Sequence, residues 1–195
     1  MGYVPGLPED DASHDAYCDL ISNGPTLTDI ASAEWLSEIG EDRILVVTDD
    51  SPPAHKKLAH DLAICANREM RYDMGIYRVY DPPDERRIHL FLYARKARVV
   101  GLLVFERRTT IWRCTWRPNN NPECIERPDR AGMWSVGFVW VHERQRRTYV
   151  AANLFIAALK YLSLAEDDIG WYAPFSRDGE AFVRSKCPIN FYVAK

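Results

Sequence analysis

The sequence predicts an α/β (α+β) domain: a mixed, mostly antiparallel sheet with one parallel βαβ crossover, flanked by helices. Three observations carry this prediction. Residues 88–93 and 99–105 are apolar runs joined by the polar turn Ala94-Arg95-Lys96-Ala97, the pattern of an antiparallel hairpin. Residues 135–141 form a nearly continuous apolar run, expected of a strand buried on both faces in the middle of a sheet. That run is followed by a charged loop, an amphipathic stretch and another apolar strand, which is a βαβ crossover.

The elements follow in order. Residues 1–24 are rich in Asp, Gly and Pro with little periodicity and read as a loosely ordered arm, leaving residues 25–195 as a single domain. Thr28-Asp29 caps a short helix through Ile39, with Ile30, Trp35 and Ile39 as its apolar positions and Gly40 as its stop. Ile44-Leu45-Val46-Val47 is a β-branched strand ended by Asp49-Asp50-Ser51. Pro52-Pro53 opens a helix to about Met70, with Leu58, Leu62 and Cys65 as its inner stripe. Period-two patterning runs from Tyr77 to Phe105, and residues 109–116 either prolong the second hairpin strand or add another. Residues 117–132, with three Pro and three consecutive Asn, form a long irregular connection. After the central strand, the helix runs from Tyr149 to about Leu164, with Tyr149, Leu154, Ala158, Tyr161 and Leu162 inward. Residues 169–172 form a core strand, Asp178-Gly179 starts a short helix through Lys186, and residues 189–194 close the chain as a strand.

Composition excludes several classes. A chain of 195 residues with 47% hydrophobic residues buries a full core without staples, so disorder is excluded as its main state. Twenty-five basic against 28 acidic residues leave a net charge of -3, which gives no global attraction to nucleic acid or an anionic membrane. Trp112, Arg113, Trp116 and Arg117 mix aromatics with cations, a pattern shared by nucleic-acid platforms and amphipathic strands. The five cysteines are scattered, with no C-x-x-C, and read as free thiols; no metal site is expected, since His55 and His60 lie five apart rather than four. With no basic-then-apolar leader and no apolar stretch near the ~20 residues of a membrane span, the chain reads as soluble and intracellular.

The chemistry concentrates after the central strand. A strand followed by a loop that opens a helix presents free N–H groups and the positive end of the helix dipole, where a phosphate settles. Arg144, Arg146 and Arg147 add cations there, unfavourable to the dipole unless an anion is present. The alternative is a solvated surface loop. Neither G-x-x-x-x-G-K-[ST] nor G-x-G-x-x-G occurs, against a nucleoside triphosphate or dinucleotide fold.

Trp140-Val141, four residues, Arg146-Arg147, two residues, then Val150-Ala151 resembles the I-W-V-x4-R-R-x-x-I-A motif of the cohesin acetyltransferase family, a branch of the GNAT superfamily. Residues 98–106 resemble that family's R-V-V-G-C-L-I-A-E. Asp49-Asp50 with Lys56-Lys57 resemble its acidic and lysine pairs before the first long helix, and residues 178–182 its D-G-K-x-F. The resemblance spans residues 42–195 in order. It implies the GNAT acyl-CoA N-acyltransferase fold, with acetyl-CoA as co-substrate held by Val139, Trp140, Val141, Arg146, Arg147, Thr148, Tyr149, Val150, Ala151 and Phe182. The strand at Val139 to Val141 would pair with the pantetheine arm, splayed from residues 169–172. It implies further a protein substrate with an accessible lysine, a histone tail or a cohesin subunit, and a nuclear, chromosome-associated location.

Two departures bear on catalysis. The family's S-D-P-T after the fifth core strand is replaced by Tyr172-Ala173-Pro174, and a second family acid corresponds to Ile156. Acetyl transfer to lysine needs a held thioester, donors for the oxyanion and a route for the proton of an amine of free pKa ~10.4. Glu106 is the matched acid and the candidate base through water, or else a strand-end Glu in a surface ion pair. Tyr172 is the candidate donor to the departing thiolate, or else a core aromatic. His142 and Cys187 read as a polar strand end and a buried thiol. The competing reading is a catalytically weakened binding module of the same fold in a chromosomal assembly such as a kinetochore.

Overall fold

A computed structural model describes residues 8–27, 35–70, 88–117, 122–126 and 132–194. Its centre is a nine-stranded sheet built from β1 (Ser37–Ile39), β2 (Asp42–Val47), β3 (Ile88–Arg95), β4 (Arg98–Arg108), β5 (Ile111–Thr115), β6 (Glu123–Glu126), β7 (Met133–Val141), β8 (Gly170–Tyr172) and β9 (Asn190–Ala194). The spatial order is β1-β2-β3-β4-β7-β8-β9-β5-β6. The pairs β7–β8 and β8–β9 are parallel and the others antiparallel, the expected mixed sheet. Helix α3 (Val150–Leu162) makes the crossover from β7 to β8.

Alternation along the strands divides the core into two layers. Phe91, Tyr93, Leu103, Phe105 and Val136 join Leu154, Phe155 and Ala158 of α3 and Val183 of α4 (Arg177–Lys186) on one face. Leu45, Val47, Leu90, Leu92, Leu102 and Val104 meet Leu58, Leu62, Cys65 and Ala66 of α2 (Pro53–Met70) on the other. Leu20 and Ile21 of α1 (Pro8–Asn23) rest against that second layer.

Several expectations are corrected. Residues 8–23 are helical rather than an irregular arm; Arg98 pairs with Asp19 and Cys65 donates to the Leu20 carbonyl, so tertiary contacts supply what periodicity lacked. The helix expected through Ile39 is at its end the strand β1, turned back onto β2 by Gly40 at φ +64°; residues 28–34 lie outside the described residues, as do residues 77–87 of the period-two stretch. Residues 111–115 are a separate strand on β9, and the irregular connection after them contains β6. Cys114 and Cys124 are not free: they face each other in the β5–β6 register and form a disulfide. Ten residues of spacing say nothing of this; strand register brings their Cα atoms to 4.0 Å.

Candidate active site

The site begins where the sheet opens. β7 runs beside β4 along its length, but its parallel pairing with β8 covers only Ser135↔Gly170 and Val136↔Trp171. The β4–β7 register shifts between Val104, opposite Phe138, and Phe105, opposite Val136, so Gly137 is an inserted residue. A bulge of this kind bends and twists its strand, and β8 parts from β7 at that point. The run 135–141 is therefore not buried on both faces: Gly137, Phe138, Val139 and Val141 are half-buried. Past Val136, the backbone edge of β7 has no strand partner among the described residues. Val139 and Val141 pack toward the α3 layer. Trp140 points the other way, buried; its indole N–H donates to Glu69 Oε2 at 2.9 Å, and its backbone lies on the β4 side opposite Leu102, since His142 N–H two residues on donates to the Val100 carbonyl, so the backbone groups that face the opening are those of Val139 and Val141.

The β7–α3 connection lies at the end of this slot. Arg147 and Tyr149 have left-handed φ of +63° and +67° on either side of Thr148, and α3 follows at once. Alternation of this kind converges successive N–H groups on one point, and the first N–H groups of a helix have no carbonyl one turn back. The strain of about 1–2 kcal/mol per left-handed residue with a Cβ falls on the segment expected to take an anion, a common association at functional sites. Arg147 and Tyr149 are exposed, Tyr149 at 79%; the inward placement expected of Tyr149 is corrected, because α3 starts only at Val150, whereas Tyr161, though its edge is exposed, does set its ring against Phe91 and His89. Val150 is buried and Ala151 half-buried. Arg146 is engaged: it pairs with Glu69, and its Nε donates to the Val141 carbonyl at 3.1 Å. His142, buried, accepts from Arg144 N–H and caps the short turn Glu143–Gln145.

A bracing network that sequence reasoning missed stands behind the loop. Arg95 grips Asp42 through Nε (3.0 Å) and Nη2 (2.8 Å), while its Nη1 donates to Gln145 Oε1 (2.8 Å) and Thr148 Oγ1 (3.1 Å). The Thr148 hydroxyl donates to the Gln145 carbonyl at 2.6 Å. Tyr93 donates to Asp42 at 2.7 Å, and Asn153 in the first turns of α3 donates to the Tyr93 oxygen at 3.3 Å. The Arg95 guanidinium holds the Asp42 carboxyl below the usual carboxylate range, and burial together with Asp42 pushes the Tyr93 phenol up. No local motif announces these residues; the β2–β3 register and the return of the chain at 145–153 bring them together.

Glu106 lies beside the bulge, at 0% exposure, which removes the surface ion pair from its readings. A Cβ on Gly137 would stand 2.9 Å from Glu106 Oε1, so the glycine makes room for the carboxylate. Arg108 Nη2 is 2.8 Å from the same oxygen as an ion pair whose angle falls short of a hydrogen bond. Neither Glu106 oxygen has a hydrogen-bond partner among the described residues. A buried carboxylate left in this state is costly unless another donor reaches it. The Arg108 guanidinium also lies over the ring of Tyr172, 5.2 Å from its centroid, at the end of β8. Glu106, Arg108 and Tyr172 thus form one cluster where β7 and β8 part. Phe182 sits apart, on α4, against Phe155 and Trp171. Cys187 is buried at the end of α4, its thiol pushed up by burial, beside a shallow concavity with Glu166 and Lys186 rather than in the slot.

This architecture occurs in known proteins. A structure of the xEco2 acetyltransferase domain bound to a CoA conjugate superposes with a TM-score of 0.66 at 20% identity, over 83% of this chain and 98% of that one. A second structure of the xEco2 domain gives 0.66 at 17% identity, over 86% and 98%. The chain has the GNAT acetyltransferase fold. No protein-family model matches the sequence, and no characterised protein sequence does either. At these identities the likeness establishes the GNAT fold alone, and the residues of the slot, the left-handed turn and the Glu106 cluster must be read on their own chemistry.

Proposed function

We propose that this protein is an acetyl-CoA-dependent N-acetyltransferase acting on a protein lysine, in a nuclear chromatin or chromosome-segregation substrate such as a histone tail or cohesin subunit. The observation that carries the reading is the slot itself: an unpaired strand edge that leads from a buried carboxylate to a turn of convergent N–H groups. The residues fit acetyl-CoA. The slot-facing backbone of Val139 and Val141, with Trp140 between them held on β4, would take the pantetheine amides, and the N–H groups of Arg147 through Ala151, with the Arg147 side chain, the diphosphate. Arg146 would add charge if drawn from Glu69, and Thr148 would contribute its N–H, its hydroxyl being held within the loop. Exposed Tyr149 would lie beside the nucleotide, while Phe182, packed on Phe155 and Trp171 apart from the slot, would act only by holding α4 against the core. Bound there, the thioester supplies an acetyl carbonyl to an amine, forming an amide and releasing a thiol. Glu106 accepts the ammonium proton, directly or by way of one water, through Oε2, the oxygen that Arg108 does not hold. Tyr172, at the end of the parting strand, would donate to the leaving sulfur.

One observation favours a second reading, a binding module of the same fold with weakened catalysis: Ala173 stands where the resembled family has an acid. One set of experiments separates them. Millimolar acetyl-CoA should raise the Tm, and acetylation of a panel of histone and cohesin proteins should fall sharply in Glu106→Gln with little change in acetyl-CoA affinity. No thermal shift refutes the acetyl-CoA reading. A wild type inactive on every protein of the panel, beside an active Ala173→Asp, makes the binding module the answer.

A further inference from the structure

We infer that Arg95, with Asp42 as its anchor, is a positioning residue that sets the affinity of the β7–α3 turn for the diphosphate of the acyl donor. The inference rests on the acetyl-CoA reading above and adds residues that lie outside every motif of that reading. Thr148 is the residue between the two left-handed positions, and Arg95 Nη1 is the group that holds its hydroxyl from the sheet side. The same nitrogen holds Gln145, whose carbonyl accepts from Thr148, so both ends of the turn 145–148 hang on one guanidinium nitrogen. Asp42 takes Nε and Nη2 as a fork, which fixes the guanidinium plane and leaves Nη1 aimed at the loop.

The network closes on itself. Asn153 reaches Tyr93, Tyr93 reaches Asp42, and Asp42 holds Arg95. The segment that carries the anion-facing N–H groups, residues 147–151, is therefore tied at Thr148 and, just beyond it, at Asn153 to one corner of β2 and β3. The pair is mostly buried, Arg95 at 26% and Asp42 at 18% side-chain exposure. With its charge matched by Asp42, Arg95 stays behind the loop rather than folding over the anion. A lysine cannot replace it, because one ammonium cannot meet the Asp42 fork and two loop acceptors together.

The test measures Kd for acetyl-CoA and for S-acetylpantetheine, which lacks the diphosphate, on wild type, Arg95→Met, Arg95→Lys and Thr148→Val, with circular dichroism as a check on folding. Arg95→Met should bind acetyl-CoA about tenfold more weakly, the weight of a charge-assisted hydrogen bond, while S-acetylpantetheine changes by less than about twofold. Arg95→Lys should not restore the loss. Thr148→Val should lose affinity in the same direction, and the double variant should lose no more than Arg95→Met alone, because both changes cut one connection. Thr148→Val decides the matter if Arg95→Met does not fold. A folded Arg95→Met that binds acetyl-CoA like wild type, or that loses both ligands by the same factor, overturns the inference. A wild type that does not bind acetyl-CoA overturns the acetyl-CoA reading instead.

Discussion

Gly101→Ala is expected to damage the seat of α3 on the sheet. Gly101 lies in β4 where the first turn of α3 crosses it, and an added Cβ would stand 2.6 Å from Val150 Cγ1, 3.1 Å from Leu154 Cδ1 and 3.1 Å from Tyr93 Cβ. All three neighbours are fully buried, so none can swing into solvent. Overpacking of this kind costs about 1–3 kcal/mol, offset by roughly 0.5–1 kcal/mol gained by removing a glycine from a strand interior. A net loss of about 1–2 kcal/mol lowers the Tm of a domain this size by roughly 2–8 °C. Val150 opens α3 beside the left-handed Tyr149, so the displacement reaches the β7–α3 turn, and under the proposed function acetyl-CoA affinity should fall as well. The double variant Gly101→Ala/Val150→Ala removes the contacted methyl and should recover stability beyond additivity, with a coupling of about 1–2 kcal/mol in a thermal-melt cycle. An unchanged Tm in Gly101→Ala, or strict additivity in the cycle, would refute the packing argument.

Two further outcomes follow from the charges and thiols. Because the folded Asp42 carboxyl is held below its ordinary value of 3.8, its stabilising effect is fully present above that pH and is lost as pH falls through the lower folded value. Denaturant titrations of wild type and Asp42→Asn should thus differ at neutral pH and converge well below pH 3.8, whereas a constant gap would show that the carboxylate's charge is not what counts. Among the cysteines, exposed Cys18 should react at once with a thiol reagent in the native protein. Cys65, its thiol pushed up to about 11 by burial, and buried Cys187 should react only on unfolding, and Cys114 and Cys124 only after reduction as well; rapid native labelling of any thiol besides Cys18 would contradict this arrangement.

The mixed sheet, its crossover and the position of the β7–α3 turn are all written in the local pattern of the sequence. Apolar runs at 88–93, 99–105 and 135–141 bury strands wherever they are placed, and the charged loop before an amphipathic stretch must open a helix. Glu106 was legible as an acid at the end of such a run. Tertiary structure alone decided what surrounds these residues. The bulge at Gly137, which opens the slot and admits the Glu106 carboxylate, arises from the pairing of β7 with β4 and cannot be read from β7 alone. The disulfide depends on a strand register that the sequence does not state. Arg108 reaches Glu106 and Tyr172 only because β4 and β8 flank β7. The Arg95 brace joins residues about fifty positions apart. Periodicity reports how each segment meets the core, since burial acts residue by residue; the partners of a polar side chain are set by where distant segments cross, and that is a property of the folded chain.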